Sequence, residues 1–211
     1  MPQCTLYVDR FWISPYAFTA FVALEEKGVG YDVKEVSLGD GEHKSGEYAR
    51  RSITGRVPTL VHGDFSLAES SAIAEYIDEA FDGPRLFPAQ PEQRARARQI
   101  MAWVRSDLLA LREERSTATM FYERAKKPLS MKGQAAADKL VEVANRLVGF
   151  GETSLFGSWS IADADLGFML HRLILNGDHV PDNLTAYARA QWERPSVTAF
   201  VNHARPPFEP Y

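Results

Sequence analysis

The sequence predicts an α/β domain followed by an all-α domain, and two observations lead to this. Strand-like and helix-like segments alternate over residues 1–82, whereas the apolar residues of 89–211 recur with a helical period. The stretch between them reads Asp-Gly-Pro-Arg-Leu-Phe-Pro, which is rich in residues that interrupt regular structure. We therefore predict one domain over residues 1–82 and a second over residues 89–211.

The first domain is predicted to run β-α-β, then a helix, then β-β-α. Short apolar or alternating runs indicate strands at residues 5–9, 31–36, 59–61 and 65–67. Helical periods indicate helices at residues 15–27, 43–51 and 71–81. Ser14 is a favourable N-cap with Pro15 at the first helical position, and Gly28 is suited to end that helix.

The second domain is predicted to contain only helices. Its longest apolar stripe predicts a single helix over residues 91–115, with an inward face made of Ile100, Trp103, Val104, Leu108 and Leu111. Further helices are predicted at residues 131–148, 161–175, 183–192 and 196–204.

The composition argues against several classes of function. The chain has 211 residues and a formal net charge of -4, whereas a nucleic-acid-binding protein is expected to be basic. No apolar run approaches the roughly 20 residues of a membrane span, and the N-terminus shows no signal-peptide pattern. The single cysteine, Cys4, excludes an intrachain disulfide, and the five histidines show no metal-ligand spacing. We expect a cytoplasmic protein with no metal, nucleic-acid or membrane partner.

Residues 11–14 join the first strand to the first helix, and they raise a chemical question. Ser14 needs no role beyond capping, and Phe11 and Trp12 need none beyond anchoring the loop. However, the free N–H groups and the dipole at a helix N-terminus favour an anion, and a thiolate placed there is stabilised. The hydroxyl of Ser14 could donate a hydrogen bond to such a sulfur, with Phe11 and Trp12 as an apolar wall beside it.

The tetrapeptide that begins at Ser14, Ser-Pro-Tyr-Ala, resembles the Cys-Pro-Tyr-Cys of glutaredoxins with both cysteines replaced. A chain of this kind cannot run a dithiol–disulfide cycle on itself. The reactive sulfur would then have to come from a ligand.

A second stretch, residues 55–77, resembles the glutathione-binding half of the glutathione S-transferase family. Its matching motifs are Arg-Val-Pro-Thr-Leu and, further on, Glu-Ser-Ser-Ala-Ile. The resemblance implies a cis peptide bond before Pro58 and a Val57 backbone that binds the cysteinyl part of glutathione. It also implies that Glu69 receives the ammonium group of glutathione and that Ser70 holds its α-carboxylate. Without a ligand, Ser70 would merely cap the helix and Glu69 would be a solvated acid.

The same resemblance extends to other parts of the chain. His43 matches the place of a side chain for the glycyl carboxylate, with Lys44 as an alternative, and Arg56 would add positive potential. Residues 157–166 match the Gly…Ser-x-Ala-Asp element of the family, in which Ser160 and the aspartate three residues later have the spacing of a capping box.

A hydrophobic co-substrate pocket is also implied by the resemblance. Its candidate residues are Phe11, Trp12, Leu108 and Arg112, with Phe208 or Tyr211 near the C-terminus. Core packing explains the candidates other than Phe11 and Trp12 equally well. Some branches of the family use a tyrosine near the end of the first strand, so Tyr7 is an alternative to Ser14, although a strand-core role suits it.

Taken as a whole, the resemblance implies a thioredoxin-like N-terminal domain and an all-α C-terminal helical bundle. It implies an enzyme whose catalytic Ser14 activates glutathione as co-substrate, with no metal, for conjugation to small hydrophobic electrophiles or for reduction of hydroperoxides. Such activities belong to detoxification and oxidative stress, and family members are usually homodimers. The alternatives are a non-catalytic glutathione-binding or scaffold protein, and a thiol oxidoreductase, which the serine at position 14 disfavours.

Overall fold

The computed structural model of the chain describes residues 3–210. Contacts between residues divide it into two units, Met1–Leu86 with Asn202–Tyr211, and Phe87–Val201. Residues 202–210 therefore group with the first unit, although they follow the last helix of the second in sequence. The division drawn from the sequence, at residues 82 and 89, stays a prediction.

The first unit contains a four-stranded mixed sheet. Its strands are β1 (Cys4–Asp9), β2 (Tyr31–Val36), β3 (Thr59–His62) and β4 (Phe65–Ala68), in the spatial order β2-β1-β3-β4. β1 is parallel to β2 and antiparallel to β3, and β3 forms the predicted hairpin with β4. The predicted order of strands and helices, and with it the thioredoxin-like fold class, is confirmed.

The helices of this unit are α1 (Pro15–Lys27), α2 (Gly46–Arg51) and α3 (Ser70–Ala80), and a short 3-10 helix covers Glu42–Lys44. α1 and α3 pack against each other. The buried ion pair between Lys27 Nζ and Asp78 Oδ1, 2.9 Å long, ties their C-terminal ends together.

The bounds of α1 follow from its sequence. Ser14 caps its N-terminus and accepts a hydrogen bond from the Ala17 amide, as predicted. Gly28 ends it in the left-handed conformation (φ 71°), which glycine adopts without the steric cost of a Cβ atom.

Successive residues of β1 point to opposite sides of the sheet. Both of these faces are buried. Leu6 and Val8 point to one face and are fully buried. Tyr7 points to the other, where it packs in a small cluster with Tyr48 of α2 and with Val57.

The second unit is helical throughout its regular structure, as predicted. Its helices are α4 (Pro91–Ser106), α5 (Leu109–Glu114), α6 (Thr117–Phe121), α7 (Met131–Leu147), α8 (Ile161–Ile174), α9 (Asp182–Trp192) and α10 (Pro195–Val201). The short helix α6 had no counterpart among the predicted elements.

The single helix predicted over residues 91–115 is wrong. Leu108 has a positive φ of 60°, and its amide donates to the carboxylate of Asp107 (2.8 Å) rather than to a helical carbonyl. The helix therefore ends at Ser106 and a new one begins at Leu109. The apolar stripe did not reveal the break, because Leu108 and Leu111 beyond it are still buried in the same core.

α8 lies at the centre of the helical unit, and every residue from Ile161 to Leu173 is buried. The predicted capping box is confirmed at its N-terminus. The carboxylate of Asp163 accepts from the Ser160 amide (2.8 Å) and hydroxyl (2.9 Å), and from the hydroxyl of Tyr187 (2.9 Å).

Among the helices of residues 3–210, none combines the length and the apolar character that crossing a membrane requires.

Candidate functional site

The topology of the sheet brings three sequence motifs to one edge. β1 ends at Asp9 and leads into the turn at Ser14. Its partner β3 runs the opposite way, so Thr59, the residue after Val57-Pro58, lies beside Tyr7 near the end of β1. Ala68, the last residue of β4, pairs with Thr59, so Glu69 and Ser70 leave the sheet at this edge too. Segments far apart in sequence therefore converge.

His43 lies in a segment that leaves the sheet at the same edge. β2 is parallel to β1 and its last residue, Val36, lies beside Asp9. The 3-10 helix that contains His43 comes after this strand. The structure thus brings Ser14, Val57, Glu69, Ser70 and His43 to segments that leave one edge of the sheet, whereas their roles toward a ligand stay predictions.

Ser14 is half-buried at the start of α1. Its Oγ accepts a hydrogen bond from the Ala17 amide at 3.2 Å. This bond uses a lone pair of the oxygen and leaves the hydroxyl proton available for donation. Capping and donation to a ligand are therefore compatible in one side chain.

Asp9 is a residue of this site that the sequence reasoning missed. Its carboxylate is 1% exposed and accepts from two successive amides, those of Ile13 and Ser14, both at 2.9 Å. Burial raises the pKa of Asp9, while these two hydrogen bonds and the charge of Arg205 oppose the rise. An aspartate at a strand end, a few residues before a helix cap, was the available indication of this role.

Phe11 and Trp12 are both buried, and each contacts the C-terminal residues of the chain. Trp12 has a positive φ of 52°, and its indole Nε1 donates to Glu35 Oε1 at 2.8 Å. The ring of Phe11 packs edge-on against Phe208, with 5.3 Å between centroids. These contacts are those of loop anchors. A further role as an apolar wall for a co-substrate stays a prediction for both residues.

The turn at Val57-Pro58 contains the cis peptide bond that the resemblance implied. Three hydroxyl groups converge on the backbone carbonyl just before it, that of Arg56. They are those of Tyr48 (2.7 Å), Ser52 (3.2 Å) and Thr59 (3.4 Å). They fix the peptide that leads into Val57, whereas the Arg56 side chain is exposed. The sequence reasoning missed this role of Tyr48, Ser52 and Thr59.

Glu69 and Ser70 form the start of α3. Ser70 is 3% exposed, while Glu69 is exposed and has φ 75° and ψ 112°. The carboxylate of Glu69 makes no capping hydrogen bond to the helix. A non-glycine residue held at positive φ is uncommon, and such residues concentrate at ligand-binding sites.

His43 has a ring nitrogen in need of a partner. Its Nδ1 is buried, and within residues 3–210 no hydrogen-bond partner faces it. A buried polar atom without a partner costs free energy, so a ligand that supplied one would be favoured. This fits a role in binding a carboxylate.

The other candidates are held in different surroundings. Leu108 is 2% exposed in the core of the helical unit, and Arg112 donates from Nη1 to the backbone carbonyl of Arg105. Tyr7 packs edge-on against Tyr48, with 5.4 Å between ring centroids, as a strand-core residue would. Tyr211 lies outside the described residues.

Among the described residues, no group of three or more His, Cys, Asp or Glu side chains has the arrangement of a metal site.

Comparison with known proteins bears on the whole chain. Residues 3–79 match the family model for the glutathione S-transferase N-terminal domain, and residues 90–205 match one for the C-terminal domain. A solved structure of a glutathione transferase homolog from Burkholderia BGR1, with bound glutathione, is 41% identical. It superposes with a TM-score of 0.78 over 94% of this chain and 96% of that one.

Two curated relatives extend this comparison. A probable glutathione S-transferase of Nicotiana tabacum is 33% identical over 66% of this chain and 68% of its own length. A stringent starvation protein A homolog of Coxiella burnetii is 29% identical over 90% of this chain and 88% of its own. Glutathione S-transferase 1 of Dianthus caryophyllus is 37% identical, but over only 48% of this chain and 46% of its own length. With family models that match both halves in order, the chain belongs to the glutathione S-transferase family.

Proposed function

We propose that the chain is a glutathione transferase that uses glutathione as co-substrate and Ser14 as its catalytic residue. The observation that supports this most strongly is the convergence, at one sheet edge, of the Ser14 turn, the Val57-Pro58 turn and the start of α3. Relatives named glutathione S-transferases, and a structural relative with bound glutathione, support the same conclusion.

The proposed binding mode follows the chemistry of each segment. The Val57 backbone pairs with the cysteinyl part of glutathione, as a strand edge pairs with an extended peptide. Glu69 binds the ammonium group, and the amide and hydroxyl of Ser70 bind the neighbouring carboxylate. His43 binds the glycyl carboxylate, and Arg56 contributes positive potential.

Ser14 is proposed to stabilise the ionised sulfur. Its hydroxyl donates to the thiolate, and the N-terminal dipole of α1 lowers the thiol pKa from the ordinary value of about 8.5. The thiolate then attacks an electrophilic carbon of a small hydrophobic co-substrate, and the leaving group departs with the electron pair. Holding both reactants together adds the advantage of proximity.

A second reaction of the same thiolate is with an organic hydroperoxide. The thiolate attacks the terminal oxygen and the O–O bond breaks, which gives the sulfenic acid of glutathione and an alkoxide that takes a proton to become the alcohol. A second glutathione then condenses with the sulfenic acid to give the disulfide and water. We further propose a cytoplasmic homodimer that acts in detoxification or oxidative stress, on the resemblance to the family.

The alternative is a glutathione-binding or scaffold protein without catalysis. The stringent starvation protein A homolog matches most of the chain, yet its name does not describe a transferase. This observation supports the alternative. The two functions differ in whether bound glutathione is ionised.

The test is a pH titration of bound glutathione, followed by the ultraviolet absorbance of the thiolate, in the wild type and in Ser14→Ala. We expect a thiol pKa well below that of free glutathione in the wild type, and a pKa near the free value in Ser14→Ala. Turnover should fall in parallel while glutathione still binds.

A matched control is Ser130→Ala. Ser130 caps α7 in the same way, with its Oγ accepting from the Gly133 amide at 3.1 Å, but it lies in the other unit. Its loss should leave the thiol pKa unchanged. Bound glutathione without a thiolate signal in the wild type would overturn the catalytic proposal and favour the scaffold alternative.

A further inference from the structure

The C-terminal tail, residues 202–210, follows α10 without regular secondary structure, yet it is closely bound to the first unit. Its contacts concentrate on the loop that leads to Ser14. His203 stacks on the indole of Trp12, with 3.6 Å between ring centroids and 20° between planes. Phe208 packs against Phe11. The tail thus touches the two residues that introduce the Ser14 turn.

Arg205 makes a polar contact between the tail and this loop. Its Nε and Nη2 both donate to the backbone carbonyl of Trp12, at 3.2 and 3.1 Å. Its Nη1 donates to the carbonyl of His203 at 2.9 Å, which fixes the guanidinium within the tail. One rigid fork therefore joins the tail to the backbone two residues before Ser14.

The Trp12 carbonyl lies in a part of the backbone that needs support. Trp12 is held at φ 52°, a conformation that costs free energy for a bulky residue. On its other side, the buried carboxylate of Asp9 accepts from the amides of Ile13 and Ser14. The turn is thus held from within by Asp9 and from the tail by Arg205.

The charges of these two residues also act together. Burial raises the pKa of Asp9, and the positive charge of Arg205 opposes this rise. Arg205 thereby favours the ionised carboxylate, which is the form that accepts both amide hydrogen bonds. Loss of Arg205 would weaken both supports of the turn.

We propose that Arg205 is a positioning residue that holds the Ser14 turn in the conformation in which its hydroxyl reaches the glutathione sulfur. The inference rests on the proposed function, because it assigns Arg205 to the reaction of that site. Arg205 itself does not touch the reacting atoms; it acts through the Trp12 carbonyl and through Asp9.

The experiment compares Arg205→Ala, Arg205→Lys and a control, Arg94→Ala, in the full-length protein. Arg94 is also half-buried and also donates to a backbone carbonyl, that of Ala89 at 2.8 Å, but in the helical unit. Hydrogen–deuterium exchange of peptides from residues 10–18 reports on the turn. Turnover, glutathione affinity and the pKa of the bound thiol report on the chemistry.

In Arg205→Ala we expect exchange at residues 10–18 to accelerate about tenfold or more, since a charge-assisted hydrogen bond is lost. We expect kcat to fall about tenfold and the bound thiol pKa to rise, with glutathione affinity changed by less than about threefold. Arg205→Lys keeps the charge and one donor, so it should recover part of each loss. Arg94→Ala should match the wild type.

Two results would overturn the inference. One is unchanged exchange in Arg205→Ala; the other is faster exchange with an unchanged kcat and thiol pKa in an active protein. If Arg205→Ala does not fold, Arg205→Lys is compared with the wild type by the same readouts. An inactive wild type would instead contradict the proposed function, and the exchange data would still decide whether Arg205 holds the turn.

Discussion

Glu69 combines two properties that rarely occur in one residue, a positive φ and an exposed carboxylate next to a helix N-terminus. The conformation costs of order 1–3 kcal/mol for a residue other than glycine. The capping role that would explain an acid here is absent, because its side chain makes no hydrogen bond to the helix. The carboxylate is thus not used by the helix, which is compatible with the proposed role of Glu69 in binding the ammonium group of glutathione.

Glu69→Gln should therefore weaken glutathione binding about tenfold, because a charged acceptor for the ammonium group becomes a neutral one. The substitution keeps the shape of the side chain and does not change the backbone requirement. Isothermal calorimetry measures the affinity. Glu79→Gln, at the exposed far end of the same helix, is the control, and equal affinities for the two variants would remove Glu69 from the binding site.

The local sequence was enough to predict Ser14 as the cap of α1, and the resemblance to the family implied the cis bond at Val57-Pro58. Asp9, Tyr48 and Arg205 were missed for one physical reason. Each acts on a backbone group whose position depends on folding, and two of them lie in polar or irregular segments whose sequence does not indicate a partner. The fork from Arg205 spans 193 residues, a distance over which no local pattern operates.

At the scale of elements, α8 shows how a buried helix is started. Asp163 accepts four hydrogen bonds, from the amide and hydroxyl of Ser160, the amide of Leu155 and the hydroxyl of Tyr187. Ser160 is 1% exposed, so its groups have no access to water as an alternative partner.

Ser160→Ala should lower the free energy of unfolding by about 1 kcal/mol, the usual cost of losing a helix cap. Urea unfolding at neutral pH measures this change, and glutathione affinity should stay the same because α8 lies outside the first unit. Ser158→Ala, an exposed serine two residues earlier, is the control. A Ser160→Ala protein as stable as this control would show that the capping box is dispensable.

The elements also show where periodicity is an incomplete guide. The apolar stripe of residues 91–115 continues through Leu108, but the backbone does not continue as one helix. A stripe records which residues are buried, and burial at Leu108 is achieved with a left-handed residue between two helices. Sequence periodicity therefore predicted the buried face correctly and the helix bounds wrongly.

At the scale of the whole molecule, a buried histidine couples stability to pH. His171 is 2% exposed, stacks on Trp192 and has its Nδ1 2.8 Å from the carbonyl of Gly167. Burial lowers its pKa to about 4 from the ordinary 6.5, although the contact with Gly167 opposes this. The folded chain thus keeps His171 neutral where the unfolded chain would protonate it.

Between pH 6.5 and about 4 the unfolded state binds the additional proton, so His171 makes stability fall as the pH is lowered through this window. The full effect is of the order of 3 kcal/mol. Urea unfolding at about pH 7 and about pH 5 measures the part of this effect that has developed by pH 5, roughly 2 kcal/mol. In His171→Gln the difference between the two conditions should shrink, whereas the exposed His179→Gln should behave as the wild type.

The comparison with a variant is needed because other buried groups act in the opposite direction. Burial raises the pKa of Asp163 and of Asp9, so their contributions to stability grow as the pH falls. A wild-type curve alone contains all of these effects. A pH dependence that is identical in the wild type and in His171→Gln would contradict the assignment to His171.

The order of strands and helices in the first unit was predictable, since alternation and helical periods are properties of neighbouring residues. The position of residues 202–210 was not. Their composition indicates an irregular segment, and only the folded structure shows that Arg205 and His203 reach the first unit.

The contact between Arg205 and Trp12 affects how the chain folds during its synthesis. The strands and helices of the first unit emerge early and hold all of their sheet partners by residue 68. The Trp12 carbonyl, however, accepts a hydrogen bond from a side chain that lies 193 residues further along the chain. Domains tend to fold in the order of synthesis. The turn that carries Ser14 is therefore completed only after residue 205 has been synthesised, long after the sheet from which the turn leaves.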